Sequence, residues 1–229
     1  MTVSWHLLNQ ILKVKVYFLS GLGADSRTFK YLNLPSNLEL IFIEWLTPNK
    51  DERIQEYAKR IAEKIDSSKP FILVGLSFGG MLATEVLEFV KPKKTILISS
   101  VARKQELPSY YKLAGIFKLN KLLPSNATNR PNILTHWMFG LSDPKDKLLL
   151  NEILTSTNTH FSKWAVNELL NWNRTIAPQG LIRIHGDNDR VLPIINFKPN
   201  YIVRNGGHFM IANKANEISN ILEAELGAS

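Results

Sequence analysis

The stretch "PFILVGLSFGG", residues 70–80, decides how the rest of the chain is read. Phe71 to Val74 form an apolar run of the kind found in strands buried on both faces, and Pro70 ends any helix that would run into it. One hydroxyl, Ser77, then stands between glycines at both second neighbours, Gly75 and Gly79. Leu82, Ala83, Val86, Leu87 and Val90 follow at helical spacing. A strand, a sharp turn and a helix therefore meet at Ser77. A residue at the tip of such a turn takes an unusual backbone angle, and side chains beside it would collide with the adjoining helix and strand. The glycines relieve that crowding and leave the hydroxyl at the carboxyl edge of a sheet.

Working outward, short aliphatic runs alternate with helical patterns. The strand candidates are 14–20, 38–44, 70–75, 94–100, 181–186 and 200–205. Between the second and third, Ile54, Tyr57, Ala58, Ile61, Ala62 and Ile65 make one face of an amphipathic helix, and Glu217, Ile218, Ile221, Leu222 and Leu226 make a closing one. Alternation of this kind predicts an α/β fold: an open, mostly parallel sheet of about six strands with helices on both faces.

Residues 103–178 break the pattern, with no convincing strand, five prolines (Pro108, Pro124, Pro131, Pro144, Pro178) and helical spacing at Leu148, Leu149, Glu152, Ile153 and at Trp164, Val166, Leu169, Leu170. This is expected to be a helical cap insertion in a core made of 1–102 and 179–229. Its aromatics include Tyr110, Tyr111, Phe117, Trp137, Phe139, Phe161, Trp164 and Trp172. They form the insertion's own core or line a substrate cavity beneath it, and Trp137, Phe139 and Trp164 are the candidate substrate-binding residues.

Composition narrows the classes. The 229 residues suffice for one full core, and 45% hydrophobic with 21% charged residues is ordinary for a globular protein. No apolar run is long enough to span a membrane, and the first residues lack signal-peptide features, so a cytoplasmic protein without membrane insertion is expected. The net charge of +8 comes from scattered Lys and Arg with no long basic run, which argues against a nucleic-acid partner. It is compatible with an anionic substrate but points to no position for one. There is no cysteine, no His-Glu-x-x-His and no phosphate loop, so neither a metal nor a cofactor is expected.

A serine hydroxyl is a weak nucleophile until a base takes its proton, and the base must be oriented. Of the five histidines, His208 in "NGGHF" follows the last strand candidate in a glycine-softened loop. His185 opens "HGDNDRVLP" and reads as structural in that turn, whereas His6, His136 and His160 have no comparable setting. The same turn supplies Asp187 and Asp189 beyond the end of the fifth strand. Ser, Asp and His thus stand in chain order, each at the carboxyl end of a successive strand candidate.

"GLSFGG", "HGDNDRVLP" and "NGGHF", in this order and separation, resemble the α/β-hydrolase fold family, and more narrowly its small esterase- and lipase-like serine hydrolases. The resemblance covers residues 14–226. It implies Ser77 as nucleophile, His208 as general base and then acid, and Asp189 as the group that fixes the imidazole, with Asp187 as a spare. It further implies an oxyanion hole built from the amides of Phe78 and Leu22. The loop "FLSGLGADSRTF" carries Ser20-Gly21 where the family usually has His-Gly, and its "GLG" is no dinucleotide loop, because Ser26 occupies the third glycine position. Only 13 residues precede the first core strand, too few for the two leading strands of full-length members, hence the expected six.

The expected activity is cleavage of an ester, thioester or amide of a small apolar acyl substrate through an acyl-enzyme. A non-catalytic binding protein, or an acyltransferase, C–C hydrolase or hydroxynitrile lyase using the same triad, is the alternative. Dehalogenase or epoxide hydrolase chemistry is disfavoured, since those relatives carry Asp where Ser77 stands.

Overall fold

The computed structural model describes residues 13–116 and 131–227. His6, Phe117 and Pro124 lie outside the described residues. Among the described residues six strands form one sheet: β1 (Val14–Leu19), β2 (Leu38–Phe42), β3 (Phe71–Leu76), β4 (Lys94–Ile98), β5 (Leu181–Gly186) and β6 (Tyr201–Val203). Their order is β2-β1-β3-β4-β5-β6 and every neighbouring pair is parallel. The sheet expected from the aliphatic runs is therefore present, and it is parallel throughout.

Two-residue alternation splits the strands between two apolar layers. Tyr17, Leu19, Phe71, Leu73 and Leu97 face one way and pack on α1 (Ile54–Ala62) and α2 (Phe78–Val86). Val16, Phe18, Ile72, Val74, Ile96 and Ile98 face the other way, with α8 (Ala215–Gly227) supplying Ile218, Leu222 and Leu226. Between α8 and β6 lies the short helix α7 (Met210–Asn213).

Between β4 and β5 the described elements are helical: α3 (Ser109–Ile116), α4 (Ile133–Met138), α5 (Pro144–Ser156) and α6 (Thr159–Leu170), after a 3-10 turn at Lys104–Glu106. The apolar face of α5 is shifted from the expected one. Leu149, Leu150, Ile153 and Leu154 are buried, while Leu148 is exposed. Among the described residues the aromatics of this insertion do not make a separate core. Phe161, Ala165 and Trp172 are buried in the same layer as α1 and α2. Buried polar groups tie α6 to the sheet layer: Glu168 Oε2 accepts the first amide of α1, from Ile54, at 2.9 Å, and Trp164 Nε1 donates to the Glu52 carbonyl at 2.7 Å.

Candidate active site

The β3–α2 junction is as tight as the sequence requires. Ser77 has φ 52° and ψ −120°, outside the regions that L-residues ordinarily adopt. A Cβ on Gly75 would stand 2.5 Å from the Gly80 Cα, and one on Gly79 would strike the backbone carbonyls of Leu19 and Ser20. Any side chain at either position would push α2 away from β3 or β1. The strained turn is held from behind: Ser77 N–H donates to the Ile98 carbonyl at 2.9 Å, and the Ser77 carbonyl accepts the Ser100 hydroxyl at 2.6 Å.

Three loops then converge. Ser77 Oγ lies 2.8 Å from His208 Nε2, and His208 Nδ1 lies 2.8 Å from Asp189 Oδ2. A carboxylate only accepts, so Nδ1 carries the proton and Nε2 is left to accept from the serine hydroxyl. Asp189 is buried, and its other oxygen accepts the amides of Val191 at 2.9 Å and Leu192 at 2.8 Å. Burial by itself would raise the Asp189 carboxyl, but the His208 imidazole, with His185 adding to it, holds it well below the usual carboxylate range.

Asp187 does not share this position. Its carboxylate accepts the Asn205 amide at 2.7 Å and the Arg204 guanidinium at 3.2 Å, on the far side of the turn. His185 sits in the turn as expected, donating from Nε2 to the Leu192 carbonyl at 2.7 Å. The sequence did not reveal its second contact: the same nitrogen stands 3.3 Å from Asp189 Oδ2.

Ser77 and His208 open onto a cavity of about 300 Å³, which Leu22 and Phe78 also line. Phe78 begins α2, so its amide has no acceptor within the helix. Among the described residues neither the Leu22 nor the Phe78 amide donates to another backbone carbonyl. The remaining wall is almost wholly apolar: Tyr111 of α3, Met138 of α4, Leu150, Ile153 and Leu154 of α5, and Val166, Leu169 and Leu170 of α6, with Val191 and Leu192. Among the described residues that line the cavity there is no Lys, Arg, Asp or Glu. Burial pushes the Tyr111 hydroxyl well above its ordinary value, with the charges of Tyr110 and Asp189 adding to the effect.

Of the three aromatics singled out as substrate contacts, one reaches the cavity. Phe139 lines it and meets the His208 ring edge-on at 5.3 Å. Trp137 does not line it: the side chain is 56% exposed, with the Arg190 guanidinium stacked 4.6 Å from its ring. Trp164 does not line it either, because it packs against Tyr57, Phe78 and Phe161 on the sheet side of α6.

Neither a family model nor a curated protein matches the chain. Solved structures do. A thermophilic esterase from Thermogutta terrifontis superposes with TM-score 0.69 at 13% identity over 94% of this chain and 90% of that one. An esterase from Exiguobacterium antarcticum gives 0.69 at 16% identity over 93% and 92%, and MenH from S. aureus gives 0.68 at 14% over 94% of each. The chain has the α/β-hydrolase fold.

Proposed function

We propose that the protein is a serine hydrolase that cleaves carboxylic esters of small apolar acyl groups through an acyl-enzyme. The observation that carries this reading is the unbroken hydrogen-bonded series Ser77–His208–Asp189 at the edge of an apolar cavity. His208 takes the Ser77 proton as Oγ attacks the ester carbonyl carbon, and the resulting imidazolium is stabilised by the ionised Asp189. The tetrahedral oxyanion is received by the amides of Phe78 and Leu22. His208 then gives its proton to the departing alcohol oxygen, and water activated by the same imidazole releases the acid and restores Ser77.

The helices α3 to α6, within the segment 103–178, serve as the cap and supply wall residues of the cavity at Ser77. The absence of cysteine suits a reducing, cytoplasmic setting. Among the described residues no helix is long and apolar enough to cross a membrane. A neutral, apolar acyl group suits the described part of the wall, which carries no charged side chain, better than an anionic one.

The test is hydrolysis of p-nitrophenyl esters from acetate to decanoate by the wild type, Ser77→Ala and His208→Ala. Turnover that drops about 10³-fold or more in each variant supports the reading, since members of one catalytic unit fail together. A wild type inert across the series, with Ser77 unlabelled by a fluorophosphonate, overturns it in favour of a binding protein.

A further inference from the structure

The loop that offers the Leu22 amide has little structure of its own. It is a single turn after β1, closed by the Ala24 amide donating to the Gly21 carbonyl at 2.9 Å, with Gly23 at φ +68°. Three side chains hold its carbonyls, one from the start of the loop itself and two from elsewhere in the chain. Ser20 Oγ donates to the Ala24 carbonyl at 2.5 Å, and Trp45 Nε1 donates to the same oxygen at 2.7 Å. Thr157, at the junction of α5 and α6, donates to the Gly23 carbonyl at 2.5 Å and lies 2.9 Å from the Ile153 carbonyl.

Contact is close enough to fix the turn sterically as well. A Cβ on Gly23 would run into the Thr157 side chain. Trp45 also packs its ring 6.0 Å from that of Phe78, the residue bearing the other amide. One indole thus braces both halves of the oxyanion hole.

We infer that Ser20, Trp45 and Thr157 are positioning residues that hold the Leu22 amide against the developing oxyanion, and that Thr157 makes this alignment depend on how the α5–α6 junction is seated. The inference rests on the serine-hydrolase reading. None of the three is among the residues that line the cavity; each acts by fixing a backbone carbonyl next to the donor. At Ser20 the hydroxyl bond to the Ala24 carbonyl does the fixing.

Displacing an oxyanion donor weakens binding of the transition state without moving Ser77 or His208, so the loss falls on kcat/KM and on tetrahedral analogues alike. The variants are Thr157→Val and Trp45→Phe, with Thr157→Ser to restore the donor. The readouts are kcat/KM on p-nitrophenyl butyrate, the inhibition constant of an alkylboronic acid, active-site titration with a fluorophosphonate, and thermal melting.

Both donor-less variants are expected to lose about tenfold to a hundredfold in kcat/KM and in boronate affinity together. Titratable Ser77 stays stoichiometric, and Thr157→Ser recovers most of the loss. Full activity in Thr157→Val and Trp45→Phe beside an active wild type overturns the inference and leaves the hydrolase reading intact. Activity that falls only in proportion to titratable Ser77, or to a lowered melting temperature, overturns it in the same way. An inert, unlabelled wild type overturns both.

Discussion

His185 and His208 meet the same oxygen of Asp189, at 3.3 Å from Nε2 of the first and 2.8 Å from Nδ1 of the second. The first imidazole is pinned, because its Nε2 proton also goes to the Leu192 carbonyl and its ring lies edge-on to Phe197. It therefore helps to fix the oxygen that His208 also meets. Replacing it by leucine leaves the Leu192 carbonyl unpaired in a buried site, which costs about 1–3 kcal/mol. His185→Leu is expected to unfold at lower denaturant concentration and to lose activity, but less than an Asp189 variant does. Activity loss equal to that of Asp189→Asn would place His185 in the catalytic unit itself.

The two aspartates of "HGDNDRVLP" are expected to separate sharply. Asp189→Asn removes the acceptor that fixes the His208 tautomer, and kcat should drop by about 10³- to 10⁴-fold. Asp187→Asn disturbs only the Arg204 and Asn205 contacts on the turn's outer side, so kcat should stay within a few-fold. Steady-state kinetics of the two variants decide this, and equal losses would mean that the turn as a whole, not one carboxylate, is required.

Asp189 also makes stability depend on pH in a definite direction. Its folded carboxyl titrates well below the unfolded value of about 3.9. Such a group stabilises the fold above the unfolded value, and the contribution is lost as pH falls toward the folded one. Wild type should therefore lose melting temperature more steeply than Asp189→Asn between about pH 5 and pH 2. Asp25 and Asp66, which are lowered by Arg27 and Lys15, are common to both proteins and cancel. Parallel curves would show that the carboxylate is not held as its neighbours suggest.

Anchoring of α6 gives a stability prediction separate from catalysis. Glu168 is buried, accepts the Ile54 amide at 2.9 Å, and lies 3.2 Å from the Arg53 Nε. Glu168→Ala strands that amide inside the protein and should destabilise by about 1–3 kcal/mol in urea titration, with Glu168→Gln milder. An unchanged midpoint would mean that water satisfies the helix end.

What the sequence made legible follows from how local each constraint is. The strand–turn–helix at Ser77 is set by neighbours within a few residues: Gly75 and Gly79 have no room for a Cβ. Parallel strands buried on both faces read directly as aliphatic runs. The cavity wall was less visible, because Leu150, Ile153, Leu169 and Leu170 show the same helical spacing whether they face a solid core or an open space. The phase of α5 slipped for a related reason. Leu148, Leu149 and Leu150 are consecutive, and only the tertiary packing leaves the first of them exposed. Contacts between distant segments, such as Thr157 with Gly23, or between turn side chains, such as His185 with Asp189, left no mark in the spacing at all.

Phe139 and Trp137, two residues apart at the end of α4, test how far an aromatic's identity matters against its direction. Phe139 lines the cavity, touches the His208 ring, and its carbonyl accepts the Phe209 amide at 3.2 Å, so it belongs to both the pocket and the histidine loop. Trp137 faces outward, where Arg190 donates to its carbonyl at 2.8 Å and stacks on its ring. Phe139→Ala opens the wall beside the imidazole; kcat/KM should fall about tenfold or more on short esters, and the preferred acyl chain should lengthen to fill the gap. Trp137→Ala keeps the carbonyl that Arg190 uses and exchanges an exposed ring for solvent, so kcat/KM and chain-length preference should hold within about twofold. The p-nitrophenyl ester series reads both quantities at once. A shifted optimum in Trp137→Ala with none in Phe139→Ala would mean that the acyl chain runs outward between α3 and α4 and not into the cavity beneath them.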